Sequence, residues 1–180
     1  MLGRVAINAV DDYPLRIAPV ERDTDLEAIY SRHFRDVYRY VLGLTRSHDE
    51  ADDVTAETFE RALRASRSSA GVPDVPLPWL LLTARRVAID RWRRLRQFAG
   101  LRPPVRSAEV TAGERRTEFW MWFDAVSAVL SDRQREVLLL RYQRDLTDAD
   151  ISMIMGLSES GVRSLVARAL EALRAHPELL

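Results

Sequence analysis

The run from Pro78 to Phe98, PWLLLTARRVAIDRWRRLRQF, constrains this chain more than any other stretch. Proline suits the first helical position, where its missing N–H would have no partner, and nothing after it breaks a helix. At ~1.5 Å per residue the segment predicts a rod about 30 Å long. Helical periodicity puts Leu80, Ala84, Val87, Ala88, Leu95 and Phe98 on one side, and Arg85, Arg86, Asp90, Arg93, Arg94 and Arg96 on the other. The first turn is apolar all round, which predicts burial. The later turns set six arginines against one acid. A solvated helix face usually mixes Glu with Arg four residues apart, whereas an excess of one sign suits a polyanion. Trp92 adds a ring able to stack on a base. Arg91 projects toward the apolar side and is expected to lay its stem along it.

Formal net charge is zero, from 27 basic and 27 acidic residues, and every basic residue is arginine. Arginine supplies planar forks suited to phosphate and guanine. Neutrality does not exclude a polyanionic partner, because the basic stretch 85–96 is balanced by an acidic one at 49–60. The absence of cysteine excludes disulfides, thiolate nucleophiles and cysteine-based zinc sites. Met1 to Val10 lacks the pattern of a secretory leader, and no run approaches the ~20 apolar residues of a membrane span. The expectation is a cytoplasmic protein with no membrane insertion.

Residues 1–23 show no periodicity and read as a flexible N-terminal arm. Thr24 with Glu27 is a capping-box signature. Behind it Leu26, Ile29, Tyr30, His33, Phe34, Val37, Tyr40, Val41 and Leu44 keep helical spacing, which predicts a core helix. His33 reads as a partly buried, hydrogen-bonded histidine rather than a metal ligand, since no second ligand lies four residues on. Ser47 with Glu50 marks a second helix over about 48–66. Its inner side is Ala51, Val54, Thr55, Thr58, Phe59 and Ala62. Asp49, Glu50, Asp53, Glu57 and Glu60 lie outside, with Asp52 on the flank. These carboxylates point outward with no apolar pocket to raise a pKa, so they predict a solvated or docking face rather than acid–base chemistry. Residues 67–77 read as a loop, and no stretch alternates as a strand does.

From Ala99 the composition shifts to Gly, Pro-Pro and polar residues, which reads as a flexible linker over 99–117. Its first ~15 residues, from Ala99 to about Gly113, reach about 50 Å at most. Chain length allows one ordinary core or two small ones, and this shift favours two. The second domain opens with Phe119, Trp122, Phe123, Val126 and Leu130 on one face, with Trp120 and Met121 off it. Ser131 with Gln134 and Thr147 with Asp150 are further capping boxes, and Val137-Leu138-Leu139-Leu140 predicts a central helix. Around Gly156 the spacing fits a helix-turn-helix. Ile151, Met155, Leu157, Val162 and Leu165 are apolar where two short helices must pack, and Ser152 is small. The last helix, capped by Ser158 and running to about His176, faces Val162, Leu165, Val166, Ala169, Ala172 and Leu173 inward. Glu159, Ser160, Arg163, Ser164, Ala167, Arg168, Glu171 and Arg174 lie outside or at its edges. Short hydroxyls, a forked arginine and an acid at a helix N-terminus are what base-edge readout requires. The fold class is therefore all-α, with two small helical domains joined by a flexible linker and a helix-turn-helix in the second.

With these residues in hand the chain resembles the sigma-70 family of bacterial RNA polymerase initiation factors, in particular its short extracytoplasmic-function (ECF) group. Asp52-Asp53-Val54-Thr55-Ala56-Glu57-Thr58-Phe59 looks like the family's polymerase-docking helix. Pro78-Trp79-Leu80 through Ala84-Arg85, then Ala88-Ile89-Asp90-Arg91-Trp92-Arg93-Arg94, is similar to its −10 segment. Leu130 to Val137, Gly161-Val162-Arg163-Ser164 and Ala167-Arg168-Ala169 resemble its −35 domain. The resemblance implies a region 2-like domain over 24–98, a region 4-like domain over 118–176, and function as a promoter-specificity subunit with no catalytic activity, cofactor or metal. It implies docking on the largest polymerase subunit through Asp49, Asp52, Asp53, Glu57 and Phe59, and of the C-terminal domain on the second-largest. It implies −10 contacts by Trp79, Arg85, Arg86, Asp90, Arg91, Trp92, Arg93, Arg94 and Arg96, with loop 67–77 helping to capture a flipped base. It implies −35 contacts by Ser158, Glu159, Ser160, Arg163, Ser164, Ala167 and Arg168. An anti-sigma factor is a further implied partner.

The sequence departs from the family pattern at Ala56, often Gln, at Gly161, usually Thr, and at Leu165 and Leu170, often basic. A thinner −35 contact is the expectation. The competing reading is a helix-turn-helix DNA-binding regulator that acts without polymerase. It would need neither the outward acidic face nor the loop before the arginine helix.

Overall fold

The computed structural model describes residues 24–67, 76–99, 125–126, 128–142 and 146–177. Among them there are six helices of eight residues or more and no strand. The expected arm, most of loop 67–77, the linker and the aromatic run from Phe119 to Phe123 lie outside the described residues.

Helices α1 (Thr24–Thr45) and α2 (His48–Arg67) are joined by a two-residue turn. Arg46 takes φ 55°, in the left-handed region that lets a chain leave a helix sharply, and its N–H donates to the Leu42 carbonyl at 2.8 Å. The Ser47 hydroxyl accepts from the Glu50 N–H at 3.4 Å, which opens α2. Helix α3 (Pro76–Ala99) starts two residues before the expected Pro78. Both Pro76 and Pro78 are tolerated because the first-turn N–H groups have no intrahelical partner in any case. These three helices pack on one another.

Burial follows the predicted stripes closely. Val37, Tyr40 and Val41 of α1 are inside, as are Ala51, Val54, Thr55, Thr58, Phe59 and Ala62 of α2. In α3 every residue from Leu77 to Ala84 is buried, with Val87 and Ala88 beyond. Leu95 departs from expectation at 55% exposed. It sits near the end of the longest helix, on the charged half, away from the cores around Ala84 and Val87. His33 also departs. Both ring nitrogens are buried without a hydrogen-bond partner among the described residues, and burial lowers its pKa against the opposing charge of Asp36.

The second group of helices is α4 (Asp132–Arg141), α5 (Asp148–Met155) and α6 (Glu159–Arg174). Each start is capped by a side chain. Ser131 and Gln134 form a reciprocal capping box on α4, Thr147 and Asp150 another on α5, and Ser158 accepts from the Gly161 N–H at 3.1 Å on α6. Gly156 ends α5 at φ 65°, the left-handed geometry glycine adopts without penalty. The inward residues of α6, namely Val162, Leu165, Ala169 and Leu173, pack toward α4 and α5.

Two separate cores were expected. Instead α4 lies against α1 and α5 against α3, and the buried apolar side chains form one contiguous cluster from Val37 to Leu173. Among the described residues the helices fall into two groups, and α4 and α5 close the surface between them.

Candidate polymerase and promoter interfaces

Helix α2 separates its chemistry by face. Asp49, Asp52, Asp53 and Glu60 are exposed while Ala51, Val54, Thr55 and Thr58 are fully inside. Glu57 is half-buried, because Arg61 pairs with it at 2.8 Å one turn on and Arg91 of α3 approaches at 3.8 Å. Arg91 also reaches Asp53 at 2.6 Å. It thus lies over α2 as an ion-pair partner, not merely as an aliphatic stem on the core. Phe59 is buried, its ring edge-on to Tyr30 with centroids 4.7 Å apart and close to Phe34. It supports the acidic face from beneath.

The site residues expected on α3 divide along the helix. Trp79 is 7% exposed and belongs to the core, so it offers no surface in this conformation. Arg86, Asp90, Arg91 and Trp92 are half-exposed, and Arg93 and Arg94 are exposed. Asp90 pairs with Arg93 at 3.8 Å, and the Arg94 Nε donates to the Asp90 carbonyl at 3.3 Å. The backbone of Arg96 continues the helix.

Arg85 goes elsewhere. Its Nε donates to Glu136 Oε1 of α4 at 2.7 Å, and the Tyr40 hydroxyl of α1 donates to the same oxygen at 2.8 Å. Tyr40 is fully buried, and burial, reinforced by the Glu136 charge, pushes its pKa well up. Burial works to lower the Arg85 pKa, but the hydrogen bond and charge of Glu136 outweigh it and the net shift is upward. Sequence reasoning missed Glu136 as a buried group. The available signal was its spacing: Glu136, Leu139 and Leu140 share one helical face, so an acid there enters the core with them.

In the helix-turn-helix, Glu159, Ser160, Arg163, Ser164, Ala167 and Arg168 are all exposed, as is the cap Ser158. Arg163 lies 3.6 Å from Asp148 and 3.7 Å from Glu159, loose pairs that hold the guanidinium near the N-terminus of α6. Leu165 is buried and Leu170 half-buried. Neither can anchor a phosphate, and Arg168 is the exposed cation on the outer face between them. At Gly161 an added Cβ would stand 3.2 Å from the Ser158 hydroxyl, so a larger residue presses on the cap.

Residues 29–98 match sigma-70 region 2 and residues 128–175 match sigma-70 region 4. The chain belongs to the sigma-70 family of RNA polymerase sigma factors. Within it the chain is a member of the ECF group. It is 35% identical to the ECF RNA polymerase sigma factor SigC of Mycobacterium tuberculosis, over 85% of this chain and 83% of that one. It is 29% identical to the ECF sigma factor SigM of Bacillus subtilis, over 83% of this chain and 93% of that one. Among solved structures, the sigma factor RpoE of Bartonella quintana, crystallised with the anti-sigma factor NepR, shares the fold. The TM-score is 0.65 and the identity 21%, over 86% of this chain and 96% of that one. The protein is a sigma factor that binds core RNA polymerase and directs promoter-specific initiation through −10 and −35 elements. Sigma factors act as non-catalytic initiation factors. Among the described residues no helix is long and apolar enough to cross a membrane.

Proposed function

We propose that the acidic face of α2 is the polymerase-docking surface, with Asp49, Asp52, Asp53 and Glu57 supplying the charge and Phe59 holding the helix from inside. The observation that carries this is the one-sided distribution of α2: exposed acids on one face, a completely buried opposite face. Such a face is positioned by its neighbours and free to meet a basic partner. The exposed half of α3, with Arg86, Asp90, Arg91, Trp92, Arg93 and Arg94, reads the −10 element together with Arg96 further along the helix, and α6 reads the −35 element through Ser158, Glu159, Ser160, Arg163, Ser164, Ala167 and Arg168. The working boundaries are an arm over 1–23, the −10 and docking domain over 24–98, a linker over 99–117 and the −35 domain over 118–176. The chain itself has no catalytic role and works in the cytoplasm beside the polymerase. An anti-sigma protein is a further partner, a reading supported by RpoE having been captured with one.

The test reverses charge without disturbing the Arg91 pairs. Asp49→Arg/Asp52→Arg should lower affinity for core polymerase by at least about tenfold, a loss of about 1.4 kcal/mol, and abolish run-off transcription. Equal co-elution of wild type and variant with core would overturn the assignment of this face.

A further inference from the structure

The first two turns of α6 carry a single cation, Arg163. An arginine on the outer face of such a helix can meet a duplex in two ways. It can fork onto the edge of a guanine, which reads sequence, or pair with a phosphate, which does not. Its long side chain reaches either, so the groups around the guanidinium decide between them.

Two acids stand at similar range from one nitrogen of Arg163. Its Nη1 lies 3.7 Å from Glu159 Oε2, one turn earlier on α6, and 3.6 Å from Asp148 Oδ2, at the first position of α5. The two acids differ in what holds them. Glu159 is exposed on the reading face itself. Asp148 is half-buried, its side chain 23% exposed against 59% for Arg163. Its other oxygen, Oδ1, accepts from Nη1 of Arg141 at the end of α4. The residue before it, Thr147, is fixed by the reciprocal cap with Asp150. Asp148 is thus tied to α4 through its side chain and to a capped helix start through its backbone, and it meets Arg163 with the oxygen that Arg141 does not use.

We propose that Asp148 is a positioning residue for promoter readout, which makes Arg163 a base reader rather than a backbone anchor. The inference rests on α6 being the −35 reader. Asp148 keeps the guanidinium near the N-terminal end of α6, so less rotamer freedom is lost when a base is met. Its charge also sorts the two modes of binding. A guanine edge is neutral and a phosphate is charged, so a nearby carboxylate penalises the second more than the first. Arg141 acts one step further back, by orienting the carboxylate. The gain is discrimination, not affinity.

The test uses holoenzyme assembled from core polymerase and the full chain, with competing promoters that carry each base pair at every −35 position. Arg163→Ala should flatten the preference at one position by about tenfold. Asp148→Ala should lower the preference at that same position by about threefold or more, while initiation from the disfavoured promoters holds or rises. A damaged domain would instead lose all promoters together. Asp148→Glu should restore most of the preference, and Arg141→Ala should reproduce part of the loss. In the Arg163→Ala background, Asp148→Ala should change the preference no further. Unchanged preference in Asp148→Ala overturns the proposal even where Arg163→Ala flattens one position and so upholds α6 as the reader. Should Asp148→Ala initiate nowhere, Arg141→Ala, which leaves the residues of α5 and α6 intact, decides by the same ratio. If Arg163→Ala lowers every promoter alike, Arg163 is a phosphate anchor, and the role of Asp148 falls with its reading.

Discussion

Helices α1 to α3 and helices α4 to α6 are stabilised in different ways, and their lengths explain why. The first three run to 22, 20 and 24 residues, and each buries a continuous apolar stripe against the other two. The last three have 10, 8 and 16 residues. A two-turn helix such as α5 leaves most of its backbone N–H and C=O groups without intrahelical partners, so its ends matter as much as its face. All three short helices are capped by Ser or Thr, two of them reciprocally. Long helices tolerate loose ends; short ones do not.

Core truncation should therefore weigh most in the first unit. Leu80 is completely buried where α3 meets its neighbours. Leu80→Ala should cost about 2–5 kcal/mol from lost transfer energy and an unfilled cavity, read as a fall in the urea midpoint. A cost below about 1 kcal/mol would mean that α1 to α3 relax around the gap and that their stripe is not the dominant support.

Cap removal should weigh most in the second unit. Thr147→Ala removes one half of the capping box on α5, the 3.1 Å bond from the Asp150 N–H, together with the hydroxyl's bond to the Asp150 carboxylate at 2.7 Å, and leaves the backbone N–H at 147 donating to that carboxylate. The expected loss is about 1 kcal/mol. Hydrogen exchange should localise it to α5 and the turn at Gly156. An equal loss from Ser47→Ala, at the start of twenty-residue α2, would erase the distinction between the units.

These two kinds of support were unequally legible. Caps announce themselves locally, because Ser131-Gln134 and Thr147-Asp150 carry both partners three residues apart, and helical periodicity separated the faces of α2 and α6 almost residue by residue. The interior of α3 was legible as buried, yet Trp79 and Phe59, expected at interfaces with partners, lie in the core. Motif resemblance marks a position as important without saying whether it supports a surface or belongs to it. Least visible were contacts between units. The Arg85–Glu136 pair spans 51 positions and the Tyr40–Glu136 bond 96. No periodicity within one helix encodes such a meeting.

A smaller effect concerns the charges that frame the docking face. Arg91 bridges Asp53 and Glu57, but its side chain is 34% exposed and that of Asp53 62%. Solvent screens such a pair, so a double-mutant cycle of Arg91→Ala with Asp53→Ala should give a coupling of only about 0.2–1 kcal/mol, shrinking in high salt. A value of several kcal/mol would make this pair a structural element of the first unit comparable to its apolar stripe.

The smallest effect separates the units by pH. His33 of α1 is the histidine whose burial lowers its pKa, with Asp36 opposing and Arg32 assisting. Above the ordinary value of about 6.5 the ring is neutral in both folded and unfolded chains and contributes nothing to pH dependence. Below it the unfolded chain takes up a proton that folded His33 resists, so acidification through that range favours unfolding. Urea midpoints measured between pH 7.5 and pH 5.5 should therefore fall more in wild type than in His33→Leu, with protection lost first in α1. Parallel profiles would mean that His33 is protonated as readily folded as unfolded, and that the first unit carries no acid-sensitive weakness the capped second unit lacks.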